Sequence, residues 1–267
     1  MPRARKRFGQ HFLHDKNIID KIIRAIDPRE DDQLVEIGPG QGALTFPLLK
    51  QCKHLTAVEL DRDLIPLLQK KAGAGEELEI VNADILKFEL DSLSGGPFRI
   101  VGNLPYNIST PLMFHLLDSI EKIQDMHFMV QKEVARRIVA GVSTRNYGRL
   151  SVMIQNYCDC QYLFDVAPAS FTPPPRVDSA VIRMTPYPKP IVGIKDFQVF
   201  SEIVQAAFTQ RRKTITNSLK SVVDNEIIKT CAIDARLRAE NLSLQDYAIL
   251  ARAKVKWTLQ RALSFKA

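Results

Sequence analysis

The string Asn103-Leu104-Pro105-Tyr106 combines residue types that could activate an amine. The exocyclic nitrogen of adenine is a poor nucleophile because its lone pair is delocalised into the ring. The side-chain oxygen of Asn103 and the backbone carbonyl of Leu104 could each accept one N–H and draw that nitrogen toward a tetrahedral geometry. Pro105 would keep both acceptors in place, and the ring of Tyr106 offers a face on which a flipped base can stack. The string therefore predicts a reaction at an adenine amine, although Asn beside Pro can also form an ordinary turn.

A glycine-rich turn lies upstream, where the apolar run Leu34–Ile37 leads into Gly38, Gly40 and Gly42. Glycines allow a tight turn there and let a ligand approach the backbone more closely than a Cβ would permit. The spacing fits the dinucleotide fingerprint and the glycine pattern of S-adenosylmethionine sites equally well. Taken alone, the turn indicates a nucleotide ligand only weakly, since it could be structural.

Two carboxylates follow the next two apolar runs. Glu59 comes twenty-one residues after Gly38, where a carboxylate can accept hydrogen bonds from both hydroxyls of a ribose. Asp84 could accept the exocyclic amine of an adenine ring, although a single acid at such a place is also a common cap. Together these residues predict a nucleoside pocket, but they do not distinguish hydride transfer from methyl transfer.

The elements that must position these residues alternate between apolar runs and helix-like stretches, which is typical of βαβ units. We therefore predict an α/β fold with a Rossmann-like, mostly parallel sheet of about seven strands. The predicted strands are Leu34–Ile37, Leu55–Leu60, Leu78–Asn82, Arg99–Asn103, His127–Gln131, Tyr157–Val166 and Ser179–Met184. The predicted helices are Ala43–Gln51, Arg62–Lys71, Pro111–Ser119, Lys132–Ala140 and one after Gly148. Because parallel strands share one carboxyl edge, Gly38, Glu59, Asp84 and Asn103 should meet there.

Three prolines between residues 186 and 190 mark a linker, after which the apolar periodicity is helical throughout. We predict a domain over residues 1–189 that contains the sheet and a helical domain over residues 190–267. Ser243 and Asp246 have the spacing of a capping box that opens a final helix. The stretch Ser109-Thr110-Pro111 has a hydroxyl cap followed by proline, which predicts the start of another helix.

The net charge of +7 is unevenly distributed. From Lys189 onward there are 14 Lys and Arg against 7 Asp and Glu, and the first seven residues contain four basic residues and no acid. This pattern suits a polyanionic partner that touches both ends of the chain. Solvated basic residues on exposed helices are the commoner meaning of such an excess.

Composition argues against several other classes. No run approaches the roughly 18 uncharged apolar residues of a membrane-spanning helix, and no signal peptide follows the basic start, so we expect a cytoplasmic protein without a membrane partner. Four scattered cysteines predict reduced thiols rather than disulfides. Cys158-Asp159-Cys160 lacks the spacing and the second pair of a zinc site, so we expect no metal.

Motifs from end to end of the chain match one family: Phe8–Leu13, Glu36–Thr45, Glu59, Asp84, Asn103–Tyr106, Phe171–Ser179 and Ala207–Lys213. With them the chain resembles the ribosomal RNA adenine dimethyltransferases, in particular those acting on the small subunit. The resemblance implies transfer of methyl groups from S-adenosylmethionine to N6 of two adjacent adenosines near the 3′ end of 16S rRNA. It implies 16S rRNA in the small (30S) ribosomal subunit as the partner, and we expect a monomer. It also implies that residues 1–189 form the catalytic domain, which binds S-adenosylmethionine, and that residues 190–267 bind RNA or the ribosome.

By this resemblance, the residues that contact the cofactor are His11, Leu13, Gly38, Gly40, Glu59, Asp84 and Asn103. The catalytic residues are Asn103, Leu104, Pro105, Tyr106 and Phe171. The residues that hold rRNA phosphates are Arg211, Arg212 and Lys213. The same resemblance implies that Phe171 stacks on the target adenine opposite Tyr106. From the residues alone, its place before a rigid proline run predicts an exposed aromatic on a stiff loop, or else a core residue.

Two alternative functions stay open from the sequence. One is an adenine methyltransferase that acts on DNA or on large-subunit rRNA, since it would share the whole pocket. The other is a non-catalytic assembly factor of the small subunit that keeps the fold for recognition, because fold alone does not exclude it.

Overall fold

The computed structural model describes residue 5, residues 9–72 and residues 77–264. Phe8 of the N-terminal motif and the basic residues Arg3, Lys6 and Arg7 lie outside this part of the chain. The chain divides into two compact units. The first comprises Met1–Ala135 and Asp159–Pro186, and the second comprises Arg136–Cys158 and Tyr187–Ala267.

The strands of the described residues are β1 Phe12–Leu13, β2 Gln33–Ile37, β3 His54–Glu59, β4 Glu77–Asn82, β5 Phe98–Asn103, β6 Ile123–Gln131, β7 Cys158–Val166, β8 Phe171–Thr172 and β9 Ser179–Pro186. Seven of them form one sheet in the order β4-β3-β2-β5-β6-β9-β7. Pairing from β4 through to β6 is parallel, and β9 runs antiparallel to β6. The predicted mostly parallel sheet is confirmed. β1 and β8 pair separately and antiparallel.

The α-helices of the same residues are α1 Lys16–Ile26, α2 Thr45–Leu49, α3 Ile65–Lys71, α4 Ser109–Leu117, α5 Lys132–Ile138, α6 Arg149–Gln155, α7 Ile194–Thr209, α8 Ile215–Leu219, α9 Asn225–Thr230 and α10 Leu244–Ser264. None of them is both long and apolar enough to cross a membrane. A buried cluster that includes side chains of α1, β2, α2 and β3 fixes the turn between β2 and α2.

The sequence prediction missed α1 and the small β1–β8 sheet. α1 begins after Asp15, whose carboxylate accepts the N–H groups of Asn17 and Ile18. β1 and β8 have only two residues each, too few to show an alternating pattern. β6 begins four residues earlier than predicted, at Ile123, because polar residues such as Asp125 interrupt the apolar run.

The sequence predicts two helix caps, and one of them forms. The backbone N–H of Ser243 donates to Asp246 Oδ2 at 2.8 Å, and the N–H of Asp246 donates to Ser243 Oγ at 3.1 Å. This capping box opens α10. α4 begins at Ser109, two residues before the predicted start at Pro111, and no side chain caps it; the Ser109 hydroxyl group donates to the carbonyl of Pro105 at 3.0 Å. The carbonyl of Pro105 lies one turn back, so the hydroxyl is satisfied inside the first turn.

The described part of the second unit consists mainly of helices joined by loops. Phe200, Ile203, Val204 and Ala207 of α7 are fully buried, in agreement with their three- and four-residue spacing. The segment Arg136–Cys158 is compact with these C-terminal helices, although it precedes the predicted boundary at residue 190 in sequence. The roles predicted for the two parts remain predictions.

Candidate active site

A cavity of about 350 Å³ opens in the first unit at the carboxyl ends of β2, β3, β4 and β5. Its lining includes every cofactor residue predicted from the sequence: His11, Leu13, Gly38, Gly40, Glu59, Asp84 and Asn103. Leu104, Pro105 and Tyr106 line the same cavity. Parallel strands thus bring together residues from separate motifs at one edge of the sheet.

The glycine turn after β2 leaves backbone exposed to this cavity. Gly38 has φ +66°, and a Cβ added there would meet no atom within 4 Å. Gly40 has φ +59°, and a Cβ there would lie 3.2 Å from the ring of Phe12. A side chain at position 38 would therefore occupy open space that a ligand could fill, which fits the predicted approach of a nucleoside cofactor.

Glu59 is the last residue of β3 and is only 6% exposed. Its Oε2 accepts the N–H of Gly40 at 3.1 Å, and its Oε1 accepts the N–H of Asp61 at 2.8 Å. Burial raises the pKa of Glu59 above its usual value, while these N–H donors oppose the rise. A carboxylate has about four acceptor positions, so two stay available for ribose hydroxyl groups.

Asp84 follows β4 and is half-buried. Its Oδ1 accepts the N–H of Leu86 at 3.1 Å, so the carboxylate does cap the local turn. Capping uses one oxygen and leaves the other able to accept an amine from the cavity. Nearby, the side-chain amide of Asn82 donates to the carbonyl of Glu59 at 2.7 Å and ties the ends of β3 and β4 together.

The amide of Asn103 has a defined orientation. Its Nδ2 donates to the backbone carbonyl of His11 at 2.9 Å, which leaves Oδ1 as the free acceptor. The N–H of Leu104 donates to the carbonyl of Met129 at 3.0 Å, whereas its own carbonyl accepts no hydrogen bond from the part of the chain that is described. Two adjacent acceptors at the cavity wall therefore lack a donor, as an amine-binding site requires.

Tyr106 is held from two sides. Its ring stacks on the His11 ring with 5.6 Å between centroids, and its hydroxyl group lies 2.7 Å from Ser179 Oγ. Burial raises the pKa of Tyr106, and the hydrogen bond with Ser179 opposes the rise. Because His11 Nδ1 lies 2.7 Å from the carbonyl of Pro173, which can only accept, Nδ1 is the donor there.

The predicted exposure of Phe171 is wrong. Phe171 is 2% exposed and belongs to the hydrophobic cluster that includes Leu13, Met129 and Val181. The reason is that β8 pairs with β1, opposite Leu13, and this pairing directs the aromatic ring into the core. In this arrangement Phe171 has no open face for a base, and the core alternative describes its position.

The basic triplet follows α7 in the second unit, and its members differ. Arg211 Nε donates to Glu240 Oε2 at 2.7 Å, and its Nη2 donates to the carbonyl of Arg145 at 2.8 Å. Arg212 and Lys213 are exposed. Arg211 thus has an internal partner, while its two neighbours present their charges to solvent.

Glu36 lines the cavity but was given no role by the sequence prediction. It is 2% exposed, and Thr45 Oγ1 donates to its Oε2 at 2.6 Å. Burial raises the pKa of Glu36 to about 8; the hydrogen bond from Thr45 opposes the rise and the charge of Glu59 adds to it. The signal that could have found it is an acid within the otherwise apolar run Leu34–Ile37. Over the described residues, no cluster of three or more His, Cys, Asp or Glu side chains is arranged to hold a metal ion.

Comparison with known proteins identifies similar chains along nearly the whole sequence. Residues 1–255 match the sequence profile of a family described as "Ribosomal RNA adenine dimethylase". The "Ribosomal RNA small subunit methyltransferase A" of Alcanivorax borkumensis is 53% identical over 251 residues, which cover 93% of this chain and 89% of the relative. The protein of the same name from Acinetobacter baylyi is 52% identical over 252 residues, covering 93% and 92% of the two chains.

Two solved structures have a similar fold. A dimethyladenosine transferase from Plasmodium falciparum superposes with a TM-score of 0.77 at 26% identity, over 90% of this chain and 96% of that one. The 23S rRNA methyltransferase ErmE superposes with a TM-score of 0.73 at 25% identity, over 91% and 99% of the two chains.

Proposed function

The chain belongs to the ribosomal RNA adenine dimethylase family, and from that premise we propose that it dimethylates N6 of two adjacent adenosines near the 3′ end of 16S rRNA in the small ribosomal subunit. The methyl donor is S-adenosylmethionine. The observation that carries the proposal is the pair of acceptors at Asn103 and Leu104, which both line the cavity, with the Asn103 amide oriented by the His11 carbonyl. The large-subunit alternative shares this pocket, but the relatives at about half identity are named for the small subunit.

Different residues of the cavity lining bind different parts of the cofactor. Glu59 has two acceptor positions for ribose hydroxyl groups, and Asp84 has one carboxylate oxygen for an adenine amine. Gly38 lets the ligand contact the backbone of the turn. S-adenosylmethionine supplies an electrophilic methyl group on a positively charged sulfur.

The target amine is activated by position rather than by a strong base. Asn103 Oδ1 and the Leu104 carbonyl accept its two N–H groups, so the nitrogen lone pair leaves the ring system and faces the methyl group. The N–H would become acidic only as the new bond forms, and its proton would then pass to water, so neutral acceptors that hold the amine are sufficient. In the second round one N–H remains, and a single acceptor holds it.

An Asn103→Ala variant tests this assignment. Without Oδ1 and without the amide that binds the His11 carbonyl, we expect turnover to fall on the order of 100-fold, as for loss of one preorganised transition-state partner. Mass spectrometry of unmethylated 30S subunits incubated with each variant would measure dimethyladenosine. Asn17→Ala, an exposed amide on α1, is the matched control and should retain activity. Undiminished dimethylation by Asn103→Ala would contradict the proposal.

The second unit supplies the surface for rRNA in this proposal. Arg212 and Lys213 are exposed cations suited to phosphate contacts, and most of the positive excess follows Lys189. We propose that the protein acts as a monomer in the cytoplasm, where its ribosomal substrate is assembled.

A further inference from the structure

A buried carboxylate behind the cavity contacts two of its walls. Asp61 is 4% exposed and does not line the cavity itself. Its backbone N–H donates to Glu59 Oε1 at 2.8 Å, so the loop after β3 fixes one oxygen of Glu59 from behind. Asp61 is therefore hydrogen-bonded directly to Glu59, the residue that binds the ribose in the proposed function.

The side chain of Asp61 is satisfied mainly by residues from the start of the chain. Its Oδ2 accepts Gln10 Nε2 at 3.0 Å, and its Oδ1 accepts Arg5 Nη1 at 3.1 Å and the N–H of Asp63 at 3.3 Å. A carboxylate this deeply buried is costly unless such donors are present. Arg5 and Gln10 thus have a specific reason to lie against the loop after β3.

Gln10 belongs to the stretch 9–13, which forms one wall of the cavity. The next residue, His11, accepts Asn103 Nδ2 through its carbonyl at 2.9 Å. The far end of the wall is fixed by the N–H of His14, which donates to the carbonyl of Ser170 at 3.0 Å. The wall is therefore held at one end by Asp61 and at the other by the segment that contains β8.

We propose that Asp61 is a positioning residue that organises Glu59 and Asn103 together. It fixes Glu59 through its N–H, and it fixes the 9–13 wall, and thereby the amide of Asn103, through Gln10 and Arg5. The inference rests on the proposed function for the identity of the ligand, but the link from Asp61 to the wall is a property of the ligand-free protein. Preorganisation of this kind increases affinity by removing the cost of ordering the wall on binding.

The link is tested by exchanging the functional groups at positions 10 and 61, so that the carboxylate lies at position 10 and the amide at position 61. Gln10→Glu places two carboxylates at hydrogen-bond distance, and Asp61→Asn removes the charge that binds Arg5. Each should weaken binding of S-adenosylhomocysteine, measured by calorimetry, by about tenfold, the size expected for one charge-assisted hydrogen bond. In the double variant, the new amide at 61 can donate to the new carboxylate at 10, so affinity should recover to within about threefold of the parent protein.

The second measurement is hydrogen exchange of the His14 amide in the ligand-free protein. Each single variant should exchange this amide on the order of tenfold faster while unfolding globally at nearly the same denaturant concentration, because only the wall opens. The double variant should restore slow exchange. If the two adjacent carboxylates of Gln10→Glu prevent folding, Gln10→Ala replaces it, because it removes the donor without adding charge. This variant should also exchange the His14 amide faster than the parent protein.

The control is Asp31→Asn, which makes the same charge change at a side chain that is 94% exposed. It should alter neither affinity nor exchange. Losses that add in the double variant, or unchanged exchange at His14 in both single variants, would overturn the role of Asp61. If the parent protein itself fails to bind S-adenosylhomocysteine, the proposed function fails, and the exchange data still decide whether Asp61 holds the wall.

Discussion

Glu36 and Glu59 are two buried acids on the wall of one cavity, and their ionisation is coupled. The pKa of Glu36, at about 8, means that its carboxyl group is largely protonated near neutral pH. A protonated Glu36 adds no second negative charge beside Glu59, whose own pKa is raised by burial. The pair resembles other sites in which burial gives two carboxyl groups different roles.

This pKa predicts a pH dependence of stability. Between pH 4.5, the ordinary value for Glu36, and about 8, the folded chain holds a proton that the unfolded chain has released. The free energy of unfolding should therefore fall as pH rises through this window, by at most about 1.4 kcal/mol per pH unit from one group, and level off above it. Glu36→Gln keeps an acceptor for Thr45 and cannot ionise, so urea unfolding from pH 5 to 8 should show a shallower fall.

The matched control for Glu36→Gln is Glu30→Gln, at a side chain that is 71% exposed. That variant should retain the parent slope. Glu59 also has a raised pKa, so some slope should remain in Glu36→Gln. An identical slope in Glu36→Gln and the parent would show that Glu36 ionises normally in the folded protein.

At the scale of elements, Arg99 ties the end of α1 to the sheet. It is 6% exposed, and its guanidinium group donates to the carbonyls of Ile26 and Asp27 at the end of the helix. It also pairs with Asp32 at 2.5 Å and Asp125 at 2.9 Å. One side chain thus satisfies two helix carbonyls and two carboxylates at the amino edge of the sheet, opposite the cavity.

Removal of Arg99 should therefore destabilise the first unit. Arg99→Ala leaves two largely buried carboxylates without their partner, and we expect the free energy of unfolding to fall by about 3–5 kcal/mol. Chemical denaturation would measure the loss. Arg62→Ala, at an exposed arginine, should change stability by less than about 0.5 kcal/mol. A similarly small effect of Arg99→Ala would show that the network contributes no net stability.

The elements that the sequence predicted are those with a local signal. The central strands are fully buried runs bounded by glycines or acids, and α10 begins with a capping box that is visible as Ser243 and Asp246. β1 and β8 have no such signal because each exists only by pairing with the other. The same pairing buries Phe171, so its exposure was mispredicted for a tertiary reason.

At the scale of the whole molecule, the +7 charge has an expected consequence for rRNA binding. Each cation that contacts a phosphate releases roughly one counterion, so affinity falls steeply with salt. Arg211 is already paired with Glu240, whereas Arg212 and Lys213 have their charges in solvent. Arg212 and Lys213 are therefore expected to account for the contribution of the basic triplet to the salt dependence of rRNA binding.

The double variant Arg212→Ala, Lys213→Ala should reduce the slope of log affinity against log salt by roughly 1.5 to 2. Filter binding to unmethylated 30S subunits at several salt concentrations would measure it. Neutralising Lys229 and Arg236, which are exposed but paired with Glu226 and Asp234, makes the same charge change and should alter the slope less. An unchanged slope in the Arg212→Ala, Lys213→Ala variant would show that these two residues are not part of the rRNA-binding surface.

The sequence by itself determined the seven-stranded sheet and the cavity residues that follow its parallel strands. Each strand is a local run, and parallel order alone brings the residues after β2, β3, β4 and β5 to one edge. Only the tertiary structure decided how those residues are held. The orientation of Asn103 depends on a carbonyl 92 residues away, and Gln10 lies 51 residues from Asp61. Such contacts depend on the chain path, because hydrogen bonds are short and directional and no local pattern encodes which distant partner will meet them.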